Sequence, residues 1–361
     1  MIFGFDVIWP LDPQASPGNQ VMRHSRTQIV DDRENQPLNP VAGETPTIGD
    51  LVALRLSRRG LLQGAAAAAG LAAVGALPTL ARASAGKDAF TFTEILRGTD
   101  STHHAPEGYD VQLLMRWGDP LFPDAPPFDA YAQTAAAQRL QFGYNNDFIG
   151  YLPLAPEDGQ DERGLLCVNH EYTSTLLMFE DVGDNYPATV TAEQAAVEMA
   201  AHGGTVMEVA RRGGQWFVVV PSRFNRRITA DTTPMTLTGP AAGHDRLKTR
   251  LDPSGRSVAG TMNNCAGGIT PWGTYLMAEE NINGNFTGML PDGHRETANH
   301  ARFGVPGHWY AWGRHVDRFD IGKEPNEPNR FGWIVEVDPM DPDSTPRKHT
   351  AMGRFKHEGA E

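Results

Sequence analysis

Four short segments of this sequence combine Asn, Asp, Glu or Cys with glycine in a way that a simple hydrophobic core does not require. They are Phe142–Asp147, Cys167–Tyr172, Asn263–Gly268 leading to Ala278–Asn281, and Lys356–Gly359. Carboxylate and amide oxygens are hard ligands that suit Ca²⁺, whereas a thiolate is a soft ligand that suits a transition metal. A site that mixes these side chains could hold both kinds of ion, so the sequence points to metal chemistry.

Each candidate ligand within these segments also has a structural interpretation. Asn146 belongs to an Asn-Asn-Asp run that is typical of a tight turn. Glu171 follows an apolar strand and could equally be a solvated surface carboxylate. Glu279 and Glu280 end a predicted strand, where neighbouring side chains point to opposite faces, so one of them is expected to face solvent. Cys265 stands just before a glycine pair, where the backbone can approach an ion or substrate closely, and a functional role is favoured.

Several other chemistries find no support in the sequence. Cys167 is flanked by leucine and valine and is expected to be a buried apolar thiol. The histidines occur in no H-x-x-x-H pattern and no C-x-x-C accompanies them, which argues against a common zinc site. The absence of G-x-S-x-G, P-loop and G-x-G-x-x-G motifs argues against a serine hydrolase, a P-loop NTPase and a dinucleotide-dependent oxidoreductase.

The overall charge agrees with cation binding. Lys and Arg number 31 against 44 Asp and Glu, which gives a formal net charge of −13. An acidic surface of this kind is unsuited to gripping nucleic-acid phosphates or anionic lipid, so no nucleic-acid partner is predicted. So acidic a protein is instead expected to bind small cations, Ca²⁺ above all.

The elements that must position these side chains are mainly short strands. Gln215–Val220, Thr274–Met277 and Trp333–Val337 are rich in β-branched and aromatic residues and end at turn signals. One helical pattern runs over residues 191–211, interrupted by a glycine pair. Many strands with one minor helix predict an all-β architecture. A β-propeller is the natural candidate, although no repeat of about 40 residues is visible.

The amino-terminal part has the pattern of an export signal. Arg58 and Arg59 precede an apolar stretch over Leu61–Leu77, and a small-x-small cleavage pattern ends at Ala85. Residues 57–85 therefore predict a twin-arginine signal peptide, with the twin-arginine translocase as partner and a periplasmic or secreted location. No stable membrane span is expected after cleavage. Residues 1–56 show no sustained period and predict a disordered extension.

Along the exported part, the sequence resembles the PhoX family of alkaline phosphatases. The resemblance is carried by six motifs, which are Arg116–Leu121, Phe142–Asp147, Asn169–Tyr172, Asn263–Thr274, Glu279–Asn281 and Gly353–Glu358. It implies a six-bladed β-propeller and a cluster of iron and calcium ions that hydrolyses phosphate monoesters.

The resemblance also implies a set of metal ligands. Cys265 would be an iron ligand and Glu358 a further metal ligand. Glu171, Glu279, Glu280 and Asn146 are additional candidates, because their motifs match and their oxygens suit Ca²⁺. No catalytic side chain is assigned from the sequence.

The same resemblance predicts that the propeller domain, residues 86–361, is incomplete at its carboxyl end. Members of the family continue beyond the Lys-His-Glu motif, and further ligands lie in that continuation. We therefore expect this polypeptide, expressed alone, to fold poorly and to have little phosphatase activity. Two alternatives stay open: a non-catalytic, exported propeller stabilised by Ca²⁺, and a gene fragment without a function of its own.

Overall fold

The computed structural model describes residues 95–96, 98–100 and 102–361. Within this range, Val111 to Glu361 form one compact unit, and the residues up to Asp110 belong to another. In the latter, the Asp100 carboxylate accepts hydrogen bonds from the Thr102 amide and the His104 ring. The predicted extension, the twin-arginine motif and the cleavage position all lie outside the described residues.

The first sheet is antiparallel and has five strands. These are β1 (Asn146–Leu154), β2 (Glu162–His170), β3 (Gly203–Arg212), β4 (Gln215–Val218) and β5 (Arg226–Ile228). The order is β1-β2-β3-β4, and β5 pairs with the first half of β3 beside β4. Both faces of β3 are buried over its first eight residues, so this strand lies at the centre of the packing.

The second sheet has six strands and is mixed. They are β6 (Pro234–Thr238), β7 (Ser257–Ala259), β8 (Asn264–Ile269), β9 (Tyr275–Glu279), β10 (Ile334–Val337) and β11 (Arg347–His349). The order is β7-β6-β11-β10-β9-β8. All neighbours are antiparallel except β6 and β11, which are parallel and pair Thr236 with Arg347.

This arrangement overturns the prediction of an all-β β-propeller. The described residues form no closed ring of blades; they form one antiparallel and one mixed sheet with different strand orders, together with short helices. A propeller is built from repeated four-stranded blades, whereas here a parallel pair joins strands that are far apart in the sequence. Strand content alone cannot reveal such a pairing, because it depends on long-range contacts.

The described range has five α-helices, of which the first precedes β1 and the others lie between strands. They are α1 (Ala135–Gln138), α2 (Thr175–Met178), α3 (Ala192–Ala201), α4 (Thr297–Phe303) and α5 (Trp312–His315). The longest, α3, begins at a capping box in which Thr191 and Gln194 exchange hydrogen bonds. It packs against α1 and α5.

The predicted helix over 191–211 is correct only in its first half. Helix α3 ends at Ala201, and β3 begins at Gly203. Gly203 has a φ of +95°, and a Cβ there would lie 2.1 Å from the Ile228 carbonyl oxygen. Only glycine fits this conformation and close approach, which is why the chain leaves the helix here. The valines that follow Gly203 suit β3 because both faces of this strand are buried.

The other strand predictions are confirmed. The predicted strands at 215–220, 274–277 and 333–337 correspond to β4, β9 and β10, with ends that differ by one or two residues. The two sheets approach each other where β1 and β2 contact β8. No helix in the described part of the chain is long and apolar enough to cross a lipid bilayer.

Candidate metal centre

The candidate site forms where the starts of β1 and β8 meet. Asp147 is the second residue of β1 and Cys265 is the second residue of β8, and the Cys265 Sγ lies 3.6 Å from the Asp147 Oδ2. Both strands have a register irregularity at this point, between Asn146 and Ile149 in β1 and between Asn264 and Gly267 in β8. Because such bulges redirect side chains, they explain how the two residues face each other.

Two further carboxylates come from the residues that directly follow strands. Glu171 follows β2, and its amide donates to the Asn145 carbonyl (3.0 Å). Glu280 follows β9, and its amide donates to the Asn263 carbonyl (2.9 Å). Both asparagines have a positive φ, 46° and 47°. The same backbone device therefore places one glutamate beside each bulged strand.

The fifth side chain comes from the carboxyl-terminal coil. The Ala266 amide donates to the Glu358 carbonyl (2.8 Å), which holds this coil against β8. The Glu358 Oε1 lies 3.6 Å from the Cys265 Sγ. Asp147, Glu171 and Cys265 form one group with ligand atoms within 4.8 Å of one another, and Cys265, Glu280 and Glu358 form a second. We call these five residues the Cys265 cluster.

The electrostatics of the Cys265 cluster are unfavourable without a cation. Cys265 is only 7% exposed, and burial, followed by the charges of Asp147, Glu171 and Glu280, raises the pKa of its thiol. Burial also raises the pKa of the Asp147 carboxyl, and the charge of Glu358 adds to this. Like charges that converge in a partly buried place repel one another, and a bound metal ion would reverse the local sign.

The donor atoms fit a metal ion. Sulfur and carboxylate oxygens face one another in the Cys265 cluster, and two amide oxygens nearby in the sequence, Asn146 Oδ1 and Asn263 Oδ1, are buried with no hydrogen-bond partner in the described range. A buried oxygen without a partner is costly unless something unseen satisfies it. The thiolate suits a transition metal and the oxygens suit Ca²⁺.

The cluster is supported from the core side by an asparagine. The Asn169 side-chain amide donates to the carbonyls of Cys265 and Ala266, the latter at 3.2 Å. The Tyr275 hydroxyl in turn donates to the Asn169 Oδ1. Asn169 and Tyr275 are fully buried. These hydrogen bonds therefore fix the bulge of β8 and with it the direction of the Cys265 side chain. At the rim, the exposed Lys356 donates to the Asn281 Oδ1 at 2.9 Å.

The structure brings together four of the six predicted ligands, namely Cys265, Glu358, Glu171 and Glu280. Asn146 lies next to Asp147 and offers the unpartnered oxygen described above. Asp147 itself was not among the predicted ligands. The signal for it in the sequence is the Asn-Asn-Asp run, and a tight turn accounts for that run without any role for the carboxylate.

Glu279 does not join the Cys265 cluster. Its carboxylate is fully buried on the other side of β9, where it accepts hydrogen bonds from the Lys348 Nζ (2.7 Å), the Thr261 hydroxyl (2.8 Å) and the Gly332 amide (2.9 Å). Neighbouring glutamates point to opposite sides, as the strand alternation predicts. The side expected to be solvent is instead the core. Cys167 is a buried thiol, as predicted.

Comparison with known proteins agrees with these motifs. The sequence model of the family Alkaline phosphatase PhoX matches residues 90–361, and the chain belongs to this family. A comparison with curated proteins gives no match.

One solved structure is similar in both sequence and fold. It is Pseudomonas fluorescens PhoX in complex with vanadate, a transition state analogue, with 42% sequence identity and a TM-score of 0.66. The match covers 74% of this chain and 45% of that chain. The matched part of this chain thus corresponds to less than half of the Pseudomonas protein.

Proposed function

We propose that this protein is a metal-dependent alkaline phosphatase that hydrolyses phosphate monoesters, with iron and calcium held at the Cys265 cluster. The observation that carries the proposal is the convergence of one thiol and four carboxylates in a member of the PhoX family. The similar Pseudomonas structure supports the substrate class, because it holds vanadate as a transition state analogue.

In this proposal Cys265 provides the soft ligand for iron, and Glu358 lies beside it. Asp147, Glu171 and Glu280 provide hard oxygens for calcium, with the Asn146 amide oxygen as a neutral addition. Bound metal ions would supply the positive charge that a phosphoryl group needs in its transition state. The protein's own contribution is to hold these ligands at bulged strand ends and to fix the Cys265 backbone through Asn169.

Metal analysis tests the proposal. The purified protein, supplied with iron and Ca²⁺ and then dialysed, is expected to retain both ions and, in line with the expectation from the family resemblance, to hydrolyse an aryl phosphate only slowly. Cys265→Ser is expected to lose the iron, whereas Cys167→Ala, which removes the sulfur buried in the core, should keep it. Retention of Ca²⁺ without iron in the unmodified protein would overturn the proposal of a phosphatase and would favour a non-catalytic calcium-binding module.

We also propose export through the twin-arginine translocase to the periplasm or the medium. The support is the sequence pattern of Arg58, Arg59 and the apolar stretch that follows. Replacing both arginines by lysine should leave the precursor in the cytoplasm, whereas the unmodified chain should appear in the periplasmic fraction or the medium. Equal export of the two forms would contradict this route.

A further inference from the structure

A carboxylate that belongs neither to the Cys265 cluster nor to an ion pair lies inside the molecule. Glu198 is on α3 and is completely buried. One of its oxygens accepts a hydrogen bond from the Thr175 hydroxyl, and the other accepts from the Trp312 indole Nε1 at 3.0 Å. Within the described range, no Lys, Arg or His forms a salt bridge with it.

An ionised carboxylate that is buried without a cationic partner destabilises the folded protein. Burial raises the pKa of Glu198 from 4.5 to about 7, although the hydrogen bonds from Thr175 and Trp312 work in the opposite direction. A glutamine would fill the same volume and could bind the same two partners without a buried charge. Packing alone therefore does not explain a glutamate at this position.

The partner of Glu198 leads to the Cys265 cluster. Thr175 is the first residue of α2 and stands four residues after Glu171. The segment between Glu171 and Thr175 is also bound at its middle. The Tyr310 hydroxyl accepts a hydrogen bond from the Thr173 amide and donates one to the Thr173 carbonyl, both at 3.0 Å. Upstream, the Glu171 amide is bound to the Asn145 carbonyl. Residues 171–175 are thus fixed at three points.

We infer that Glu198 is a positioning residue: its carboxylate, acting through Thr175, holds the segment that carries Glu171 in the geometry needed to bind a cation at the Cys265 cluster. This inference rests on the proposed function, since it takes Glu171 to be a metal ligand. The side-chain hydrogen bonds of Glu198 go to Thr175 and Trp312, neither of which belongs to the Cys265 cluster.

The groups around Glu198 leave it as the one that changes charge near neutral pH. Tyr186 and Tyr310 face it, and burial, followed by the charge of Glu198, raises the pKa of both hydroxyls, that of Tyr186 to about 12. Burial lowers the pKa of His202 to about 4, so this ring is neutral. Arg227 on β5 is half-buried and donates to the Ala200 and His202 carbonyls at the end of α3; burial lowers its pKa to about 9.

The direction of the effect follows from the strength of the Thr175 bond. Above neutral pH an ionised Glu198 accepts charge-assisted hydrogen bonds, which are about twice as strong as neutral ones. Below it, the protonated acid holds Thr175 less firmly, whereas unfolding of the whole molecule, in which Glu198 enters water, has the opposite dependence on pH. Glu198→Gln should resemble the protonated form at every pH, because it preserves the shape and removes the charge.

Hydrogen exchange tests the inference without any metal. At pH 8.5 the amides of Thr173, Leu177 and Met178, which are hydrogen-bonded in or next to this segment, should exchange about tenfold faster in Glu198→Gln than in the unmodified protein. At pH 5.5 the two should exchange alike after correction for the intrinsic rate. Glu180→Gln, which removes a carboxylate at an exposed position outside α3, is the matched control and should change nothing.

Calcium titration adds the functional readout. At pH 8.5 Glu198→Gln should bind Ca²⁺ about tenfold more weakly than the unmodified protein, and the difference should vanish near pH 5.5. Tyr310→Phe, which removes both bonds to Thr173, should weaken Ca²⁺ binding to the same extent at both pH values. Thermal unfolding of each variant serves to check that it is folded.

The outcomes separate the two proposals. Unchanged exchange in Glu198→Gln, or unchanged Ca²⁺ affinity in a protein that does bind Ca²⁺, overturns the positioning role. Faster exchange in a protein that binds no metal at all overturns the proposed function, and it overturns the role of Glu198 in metal binding while its hold on Thr175 stands.

Discussion

At the scale of single residues, the site depends on two asparagines as much as on its acidic ligands. Asn145 and Asn263 both adopt a left-handed backbone conformation, and each offers its carbonyl to the amide of a cluster glutamate. Asparagine tolerates this conformation better than other residues with a Cβ, apart from aspartate. The positions of Glu171 and Glu280 are therefore determined by neighbours that need not touch the metal.

The first prediction concerns Asn145. Asn145→Val should lower the free energy of unfolding by about 1–2 kcal/mol, because a β-branched residue is strained at a φ of 46°. Asn145→Gly accepts this conformation and serves as the matched control, with a change near zero. Urea denaturation measures both, and equal losses in the two variants would show that the backbone conformation is not the cause.

The second prediction concerns Glu358. Glu358→Gln should weaken retention of the bound metal about tenfold or more, since an amide is a poorer ligand than a carboxylate beside the Cys265 sulfur. Metal content after dialysis against a weak chelator measures the effect. Glu180→Gln removes a charge at an exposed position and should retain metal normally. Undiminished metal in Glu358→Gln would remove this residue from the site.

At the scale of elements, a buried ion pair joins the strands of the mixed sheet. The Lys348 Nζ on β11 reaches past β10 to the Glu279 carboxylate on β9, at 2.7 Å, and both side chains are fully buried. The ammonium group also lies 3.8 Å from the centre of the Phe331 ring. Burial lowers the pKa of Lys348 from 10.5 to about 8, and the Glu279 charge opposes that shift.

The third prediction follows from this pair. Lys348→Met should cost about 3–5 kcal/mol of unfolding free energy, because it leaves the Glu279 charge buried without its partner. The double variant Lys348→Met, Glu279→Gln should recover part of the loss, since no buried charge remains. Chemical denaturation of both variants provides the comparison. A double variant less stable than the single one would show that the pair acts through something other than charge.

At the scale of the whole molecule, burial of Glu198 gives stability a pH dependence. The folded protein holds a proton on this carboxyl up to about pH 7, whereas the unfolded chain releases it near pH 4.5. The folded state therefore binds more protons between these values, and stability falls as the pH rises through this window. This sign is opposite to that of the usual salt-bridged carboxylate.

The fourth prediction states the size of this effect. Relative to the unmodified protein, Glu198→Gln should gain about 3 kcal/mol of unfolding free energy between pH 4.5 and pH 8, because the glutamine carries no proton to lose. Denaturation at the two pH values, compared between the two proteins, cancels the other titrating groups. A difference that stays constant with pH would contradict the assignment of the titration to Glu198.

Local chemistry explains which features could be predicted from the sequence. The strands at 215, 275 and 334 have composition patterns that their own residues carry, and Cys265 stands in a glycine-containing segment that invites close approach. The architecture could not be predicted in this way, since the pairing of β6 with β11 leaves no local signal. The sequence pattern does not separate Asp147, which joins the cluster, from Glu279, which does not, because the convergence of a carboxylate depends on bulges and on a buried lysine that is distant in sequence.

The parallel pairing of β6 with β11 has a consequence for synthesis of the chain. Thr236 on β6 pairs with Arg347 on β11, but it is synthesised 111 residues earlier. Until β11 has been made, β6 can pair only with β7, and its other edge stays open. Such an edge invites association between nascent chains. Production of this protein should therefore gain more from chaperones that shield an exposed strand than from any change to the Cys265 cluster.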